Sequence, residues 1–268
     1  MPDLRYHLIS LISVFLALAI GILLGVAMAD RGVVSGRVQA EITSIQQQFA
    51  RQQKEIGKQN EQISEQQKML GGMSEVVISG RLRGKNVALI RGPYADPGVS
   101  GEVQSDLNKA GAKITMVESL DAPDASEVTL PENTSPQSKT RLETDYVNFA
   151  REVLGYTGGG DDPPEIVIFV GGGAIPADAP PGTRYALENA QAAMLRVWLD
   201  AGVRVVGAEP LHAGRSEVQL FQDVGIPSVT DADEPAGRAA IVECAAKADC
   251  EGTYGTKDTA TDPFPPPS

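Results

Sequence analysis

Residues 8–29 form an uninterrupted apolar run in which no position carries a charge. As a helix rising 1.5 Å per residue, the run spans about 33 Å, enough to cross a hydrocarbon core of ~30 Å. A cleaved signal peptide is the rival reading, because Ala27-Met28-Ala29 fits the cleavage pattern. Signal sequences have a shorter apolar stretch, about 7–15 residues, and a more basic start than Arg5 alone. The pattern therefore predicts a single-pass anchor. Ser13, Ala17, Gly21, Gly25 and Ala29 are small and recur every four residues. Residues four apart share a helix face, and a small-residue face lets two membrane helices approach closely.

A second, different period follows. Ile42, Phe49, Ile56, Ile63 and Leu70 recur every seven residues, and Val38, Ile45, Gln52, Gln59 and Gln66 fall three places after heptad starts. A sustained seven-residue apolar repeat predicts a left-handed coiled coil, and Ile at position a favours a parallel pair. The flanking positions carry Gln39, Gln46, Gln53 and Asn60, so no charge code selects a foreign partner. A parallel homodimer is expected, with Ile42, Ile45, Phe49, Ile56, Ile63 and Leu70 in the seam and Ser13, Ala17, Gly21 and Gly25 in the membrane. Packing on another copy's domain and a solvated single helix are the alternatives that the three Gln layers leave open. Gly71-Gly72 is expected to end the helix, since glycine favours C-terminal caps.

After residue 81 short apolar runs alternate with helical patterns. Strands are expected at 87–90, 113–117, 166–170 and 203–206, with an edge strand at 226–229. Helices are expected at 99–110, 146–154, 184–201 and 235–246. Such alternation predicts an α/β domain, a mostly parallel sheet with helices on both faces. Residues 121–140, rich in Pro, Ser, Thr and acids, read as a flexible insertion. The expected organisation is a tail 1–7, an anchor 8–29, a coiled-coil stalk 30–80, an extracytoplasmic α/β domain 81–252 and a C-terminal tail 253–268.

Charge sharpens this division. The formal charge is −12, and the first 80 residues contain seven basic and seven acidic side chains, so all the excess acid lies beyond them. That balance argues against nucleic acid as a partner. Two Cys and two His exclude zinc fingers and disulfide-rich scaffolds. Positive charges flank the anchor evenly, with Arg5 and the free amino terminus before it and Arg31 and Arg37 after it. The large acidic domain that follows favours an extracytoplasmic C-terminal side.

Candidate chemistry is sparse. Gly171-Gly172-Gly173 follows a predicted strand but lacks both the dinucleotide spacing and the Lys of a phosphate loop. His212 has no motif around it. Asp231 and Asp233 form an acidic turn before Pro235, suited to capping a helix. Gly171–Gly173, Asp231 and Asp233 are expected near strand ends, where α/β sheets form crevices. Cys244 and Cys250 are six apart. Outside the cytoplasm they would form a disulfide; inside it they would be two thiols or half a soft metal site. No catalytic residue and no resident cofactor are expected.

Three stretches together resemble one family. They are Tyr6-His7-Leu8-Ile9-Ser10-Leu11-Ile12-Ser13-Val14-Phe15 with its continuation to Gly21, the strand Lys85-Asn86-Val87-Ala88-Leu89-Ile90, and the tail. In the tail, Gly225-Ile226-Pro227-Ser228-Val229-Thr230-Asp231-Ala232-Asp233-Glu234-Pro235-Ala236-Gly237 and Gly252-Thr253-Tyr254-Gly255-Thr256-Lys257 carry the likeness. The chain resembles MctB-like copper-transport proteins over nearly its whole length. That resemblance implies copper transport or tolerance at the cell envelope, with an outer-membrane assignment for some members. SteB-like members imply envelope assembly at division, beside another envelope or division protein. Copper is implied by the resemblance alone. Met28, Met69, Met73, Met116 and Met194 are scattered along the sequence, and one helix encloses no pore, so copper movement would need an oligomeric channel. The residues point to a non-enzymatic scaffold on a stalk about 50 Å long.

Overall fold

The computed structural model describes residues 4–29, 33–128, 140–155 and 163–266. The chain divides into two units, residues 1–64 and 65–268.

The first unit holds α1 (Leu4–Ala29) and most of α2 (Val33–Ile78). Within α1, His7–Met28 is long and apolar enough to cross a membrane, and none of it is buried. The helix also takes in Leu4–His7, which the sequence reading leaves in a tail. α2 is one uninterrupted helix of 46 residues.

Gly71-Gly72 does not end α2, contrary to expectation. Two helical glycines cost about 1 kcal/mol each, but a buried Ile side chain returns about 1.5–3 kcal/mol. Ile78, in the last turn, is buried in the core of the second unit, beside Leu82. Gly80, at φ +73°, then stops the helix where only glycine is unstrained.

The second unit is built on a six-stranded parallel sheet. Its strands are β1 (Asn86–Arg91), β2 (Lys113–Ser119), β3 (Ile166–Val170), β4 (Arg204–Ala208), β5 (Ser228–Val229) and β6 (Thr253–Tyr254). Their spatial order is β2-β1-β3-β4-β5-β6, and each neighbouring pair is parallel. Strand side chains alternate between faces. Val87, Leu89, Ile166 and Ile168 pack on one side against the end of α2, α3 (Pro97–Lys109) and α8 (Pro235–Ala246). Ala88, Ile90, Val167 and Phe169 pack on the other side against α5 (Arg141–Gly155), α6 (Thr183–Asp200) and α7 (Val218–Val224). The α/β reading, with an apolar N-terminal helix, a long second helix and helices on both faces of a parallel sheet, is what the structure shows.

Several boundaries differ from the pattern-based ones. β5 is interior because β6 pairs with it, so 226–229 is no edge strand. The sheet also runs past residue 252. Thr253 and Tyr254 are buried, and Thr261 Oγ1 donates to the Thr253 carbonyl at 2.8 Å, so 253–266 is folded onto the domain rather than trailing from it. The stretch 121–140 contains a short helix, α4 (Ala125–Val128), and its positions 129–139 lie outside the described residues. α7 has too short an apolar pattern to be read from the sequence.

Candidate functional site

The sheet order reverses between β1 and β3, and the carboxyl ends of these strands are where an open α/β sheet forms its crevice. Gly92 through Ala95 leave β1 there, and Gly171-Gly172-Gly173 leave β3. Gly92 N donates to the Val170 carbonyl at 2.8 Å, and Gly171 N donates to the Ala208 carbonyl at 2.8 Å. The expected position of the glycine run is correct, but it does not form an open cradle. Gly171 packs against the Glu217 carboxylate, Gly172 against Pro210, and Gly173 against the backbone of Tyr94 and Ala95. Gly214 N donates to the Gly172 carbonyl at 2.8 Å. The chain's own segment 210–217 thus packs onto the glycine run.

That segment carries a buried charge network. Glu209, directly after β4, is fully buried. It accepts from Ser216 Oγ at 2.9 Å, from Glu217 N at 2.6 Å and from Lys257 Nζ at 2.5 Å. Glu217 accepts from Gln191 Nε2 at 3.1 Å and pairs with Arg215. Burial pushes the Glu217 carboxyl above the ordinary carboxylate range, opposed by the Arg215 charge and the Gln191 hydrogen bond. The network binds α6, the β4 end and the tail together. The pairing is incomplete: among the described residues, Arg215 Nε and Nη1 and Glu217 Oε2 are buried without a hydrogen-bond partner.

Asp231 and Asp233 lie at the carboxyl end of β5. Asp233 Oδ1 accepts from Leu211 N at 2.6 Å, and the Asp231 carbonyl accepts from Glu234 N at 2.9 Å. Glu234 is the N-cap of α8, and no side chain caps that helix, so the expected capping by the acidic turn is not what occurs. Asp231 is buried with Oδ1 unpartnered. Burial, with Asp233 nearby, pushes its carboxyl up to about 6. The glycines and the aspartates each meet the 209–217 segment. His212 is exposed on that segment and carries no resolved role.

Cys244 and Cys250 are joined in a disulfide with Cα atoms 5.2 Å apart. Among the described residues, no group of three or more His, Cys, Asp and Glu side chains is placed to hold a metal ion. Soft thioether donors remain, and Met69 and Met73 on α2 are 68% and 60% exposed.

α2 presents two faces in the second unit. Gln67 Nε2 donates to Glu234 Oε2 at 3.3 Å, Gly71 lies beside Pro235, and Ile78 is buried. Away from that face Met69, Leu70, Met73, Val76 and Val77 are all exposed. The seam residues Ile42, Ile45, Phe49, Ile56 and Ile63 are exposed as well, as are Ser13, Ala17, Gly21 and Gly25 on α1. Met73 and Val77 continue the d and a positions one heptad beyond Leu70. The sequence reading missed them because it stopped the helix at Gly71-Gly72; the period itself was the available signal.

Residues 1–123 match the family model described as "Copper transport outer membrane protein, MctB". This N-terminal part of the chain is MctB-like. The match takes in α1, α2, β1, α3 and β2, and the tail residues that carried part of the resemblance lie beyond it. That description speaks of copper transport and of the outer membrane, and it is said of the family. No curated protein matches the chain. A mutant receiver domain of the histidine kinase CKI1 from Arabidopsis thaliana is similar at 16% identity, over 54% of this chain and 78% of its own, with a TM-score of 0.29. That likeness is too distant to bear on fold or function.

Proposed function

We propose that this chain is a non-enzymatic, single-pass envelope protein that pairs in parallel with a second copy along α2 and serves copper transport or tolerance as a scaffold. One observation carries the pairing. Leu70, Met73 and Val77 stand exposed on the side of α2 turned from its own domain, and they extend the heptad seam without a break. Monomeric proteins rarely leave a contiguous apolar stripe of this kind in water. A second copy fits it because the same register meets itself, layer by layer, with Gln52, Gln59 and Gln66 facing their equals. The packing of segment 210–217 onto the glycine run, which leaves no open cradle there, supports a surface-presenting role over turnover. The MctB-like segment supports the link to copper.

Sedimentation of the full chain in detergent should give a dimer. Leu70→Glu with Val77→Glu should give a monomer with an unchanged near-ultraviolet circular dichroism spectrum. A monomeric parent protein would overturn the pairing. A deletion strain should be copper-sensitive with normal shape. Normal copper tolerance with disturbed shape would overturn the copper role and favour envelope assembly.

A further inference from the structure

Met69 and Met73 sit one helical turn apart near the end of α2, with side chains that point into open space. Residues four apart have β-carbons about 5–6 Å from each other on one face. Gln67, Gly71 and Ile78 mark the side of α2 that meets the domain. At 100° per residue, Met69 and Met73 lie about half a turn from that side. In the register set by Leu70 at a, Met73 occupies d and Met69 the neighbouring g position. In a parallel pair, d layers face each other and g residues flank the same seam.

We propose that Met69 and Met73 of two paired copies form a four-thioether site for a soft monovalent ion, Cu(I) in the MctB-like context. The site rests on the parallel pairing proposed above. Thioether sulfur is a neutral, polarizable donor that selects Cu(I) over harder divalent ions. Leu70 below and Val77 above supply apolar layers that keep water from the ion and favour the singly charged state. The two cysteines, joined to each other, do not compete for it. Separation in the sequence listing makes the methionines look scattered; the continuous helix brings these two onto one face.

The test is a titration of the full chain in detergent with Cu(I) against a chromogenic Cu(I) chelator, with Ag(I) as a redox-inert probe. The site predicts one ion per two chains and an X-ray absorption spectrum dominated by sulfur. Met69→Leu with Met73→Leu should weaken binding by about tenfold or more while the dimer persists, because Leu suits a d position. Met116→Leu should bind as the parent does. A dimer that binds no Cu(I), or a double variant that binds it unchanged, overturns the site and leaves the pairing intact. A parent protein that sediments as a monomer overturns both.

Discussion

A β-carbon placed on Gly171 would lie 2.7 Å from Glu217 Cδ, so these two residues share a space that only glycine leaves open. The carboxylate has little freedom to retreat, since Gln191 and Arg215 hold it from other directions. Gly171→Ala should therefore destabilise the domain by about 2–4 kcal/mol, in the range of strained, overpacked cores. Gly101, in α3, has nothing within 4 Å of an added β-carbon. Gly101→Ala should instead stabilise by about 0.5–1 kcal/mol through helix propensity. Urea midpoints of the two variants check both signs. A neutral Gly171→Ala would mean that the 210–217 segment does not close on the loop.

Asp231 predicts a pH effect of defined sign. Its carboxyl is pushed up to about 6 by burial and by Asp233, with Glu234 adding to the push and Lys257 opposing it. Unfolded, it releases its proton near 3.8, the ordinary value for an Asp side chain. Between these values the folded state holds more protons, so stability falls as pH rises from about 4 to about 6 and then levels off. At most this costs about 3 kcal/mol. Asp231→Asn should match the parent near pH 4, exceed it above pH 6, and flatten the decline between. Identical profiles for the two proteins would remove Asp231 as the cause.

Much of this architecture is written in local patterns. The runs 166–170 and 235–246 coincide with β3 and α8, because an unbroken apolar run and a Pro at the helix start are local signals. The heptad is legible for the same reason. The end of α2 is not, because what overrides Gly71-Gly72 is the burial of Ile78 in a core that β1 and α3 share with α8, which is distant in sequence. β6 has two residues and is a strand only by pairing with β5. The glycine run follows β3 and the aspartates follow β5, as local turn signals suggest. Glu209, Arg215 and Glu217 went unread, since nothing in their spacing says that Gln191 and Lys257 will meet them.

The membrane and stalk contacts can be separated by substitution. Gly21→Ile with Gly25→Ile should weaken association of the full chain in membranes, measured by cross-linking, because bulky side chains part the two backbones. Gln52, Gln59 and Gln66 replaced by Leu should raise the dimer's resistance to dilution, because apolar d layers replace polar ones. Unchanged association after the Leu substitutions would rule out this register.

The Cys244–Cys250 disulfide and an extracytoplasmic domain make a joint prediction. A membrane-impermeant thiol reagent should label neither cysteine in intact cells until a reductant is added. The closed loop is short, so Cys244→Ser with Cys250→Ser should cost about 2 kcal/mol by the chain-entropy estimate. Labelling without reductant would place free thiols outside. Failure to label even after reduction, in a protein that labels once cells are opened, would reverse the topology.

The continuity of α2 through Gly71-Gly72 can be tested at one residue. Gly72 is exposed, and an added β-carbon there would touch nothing within 4 Å. If the helix continues, Gly72→Ala gains helix propensity with no steric cost, and stability should rise by about 1 kcal/mol. Were the helix to end at this pair, Gly72 would serve as a left-handed cap, and alanine would destabilise through the β-carbon penalty of that conformation. The two arrangements thus give opposite signs for the same substitution. Gly71 is the less clean probe, because its β-carbon would reach Pro235 Cγ at 4.0 Å and add a packing contribution. A rise in unfolding midpoint for Gly72→Ala also bears on the seam: only an unbroken helix carries Met73 and Val77 in phase with Leu70.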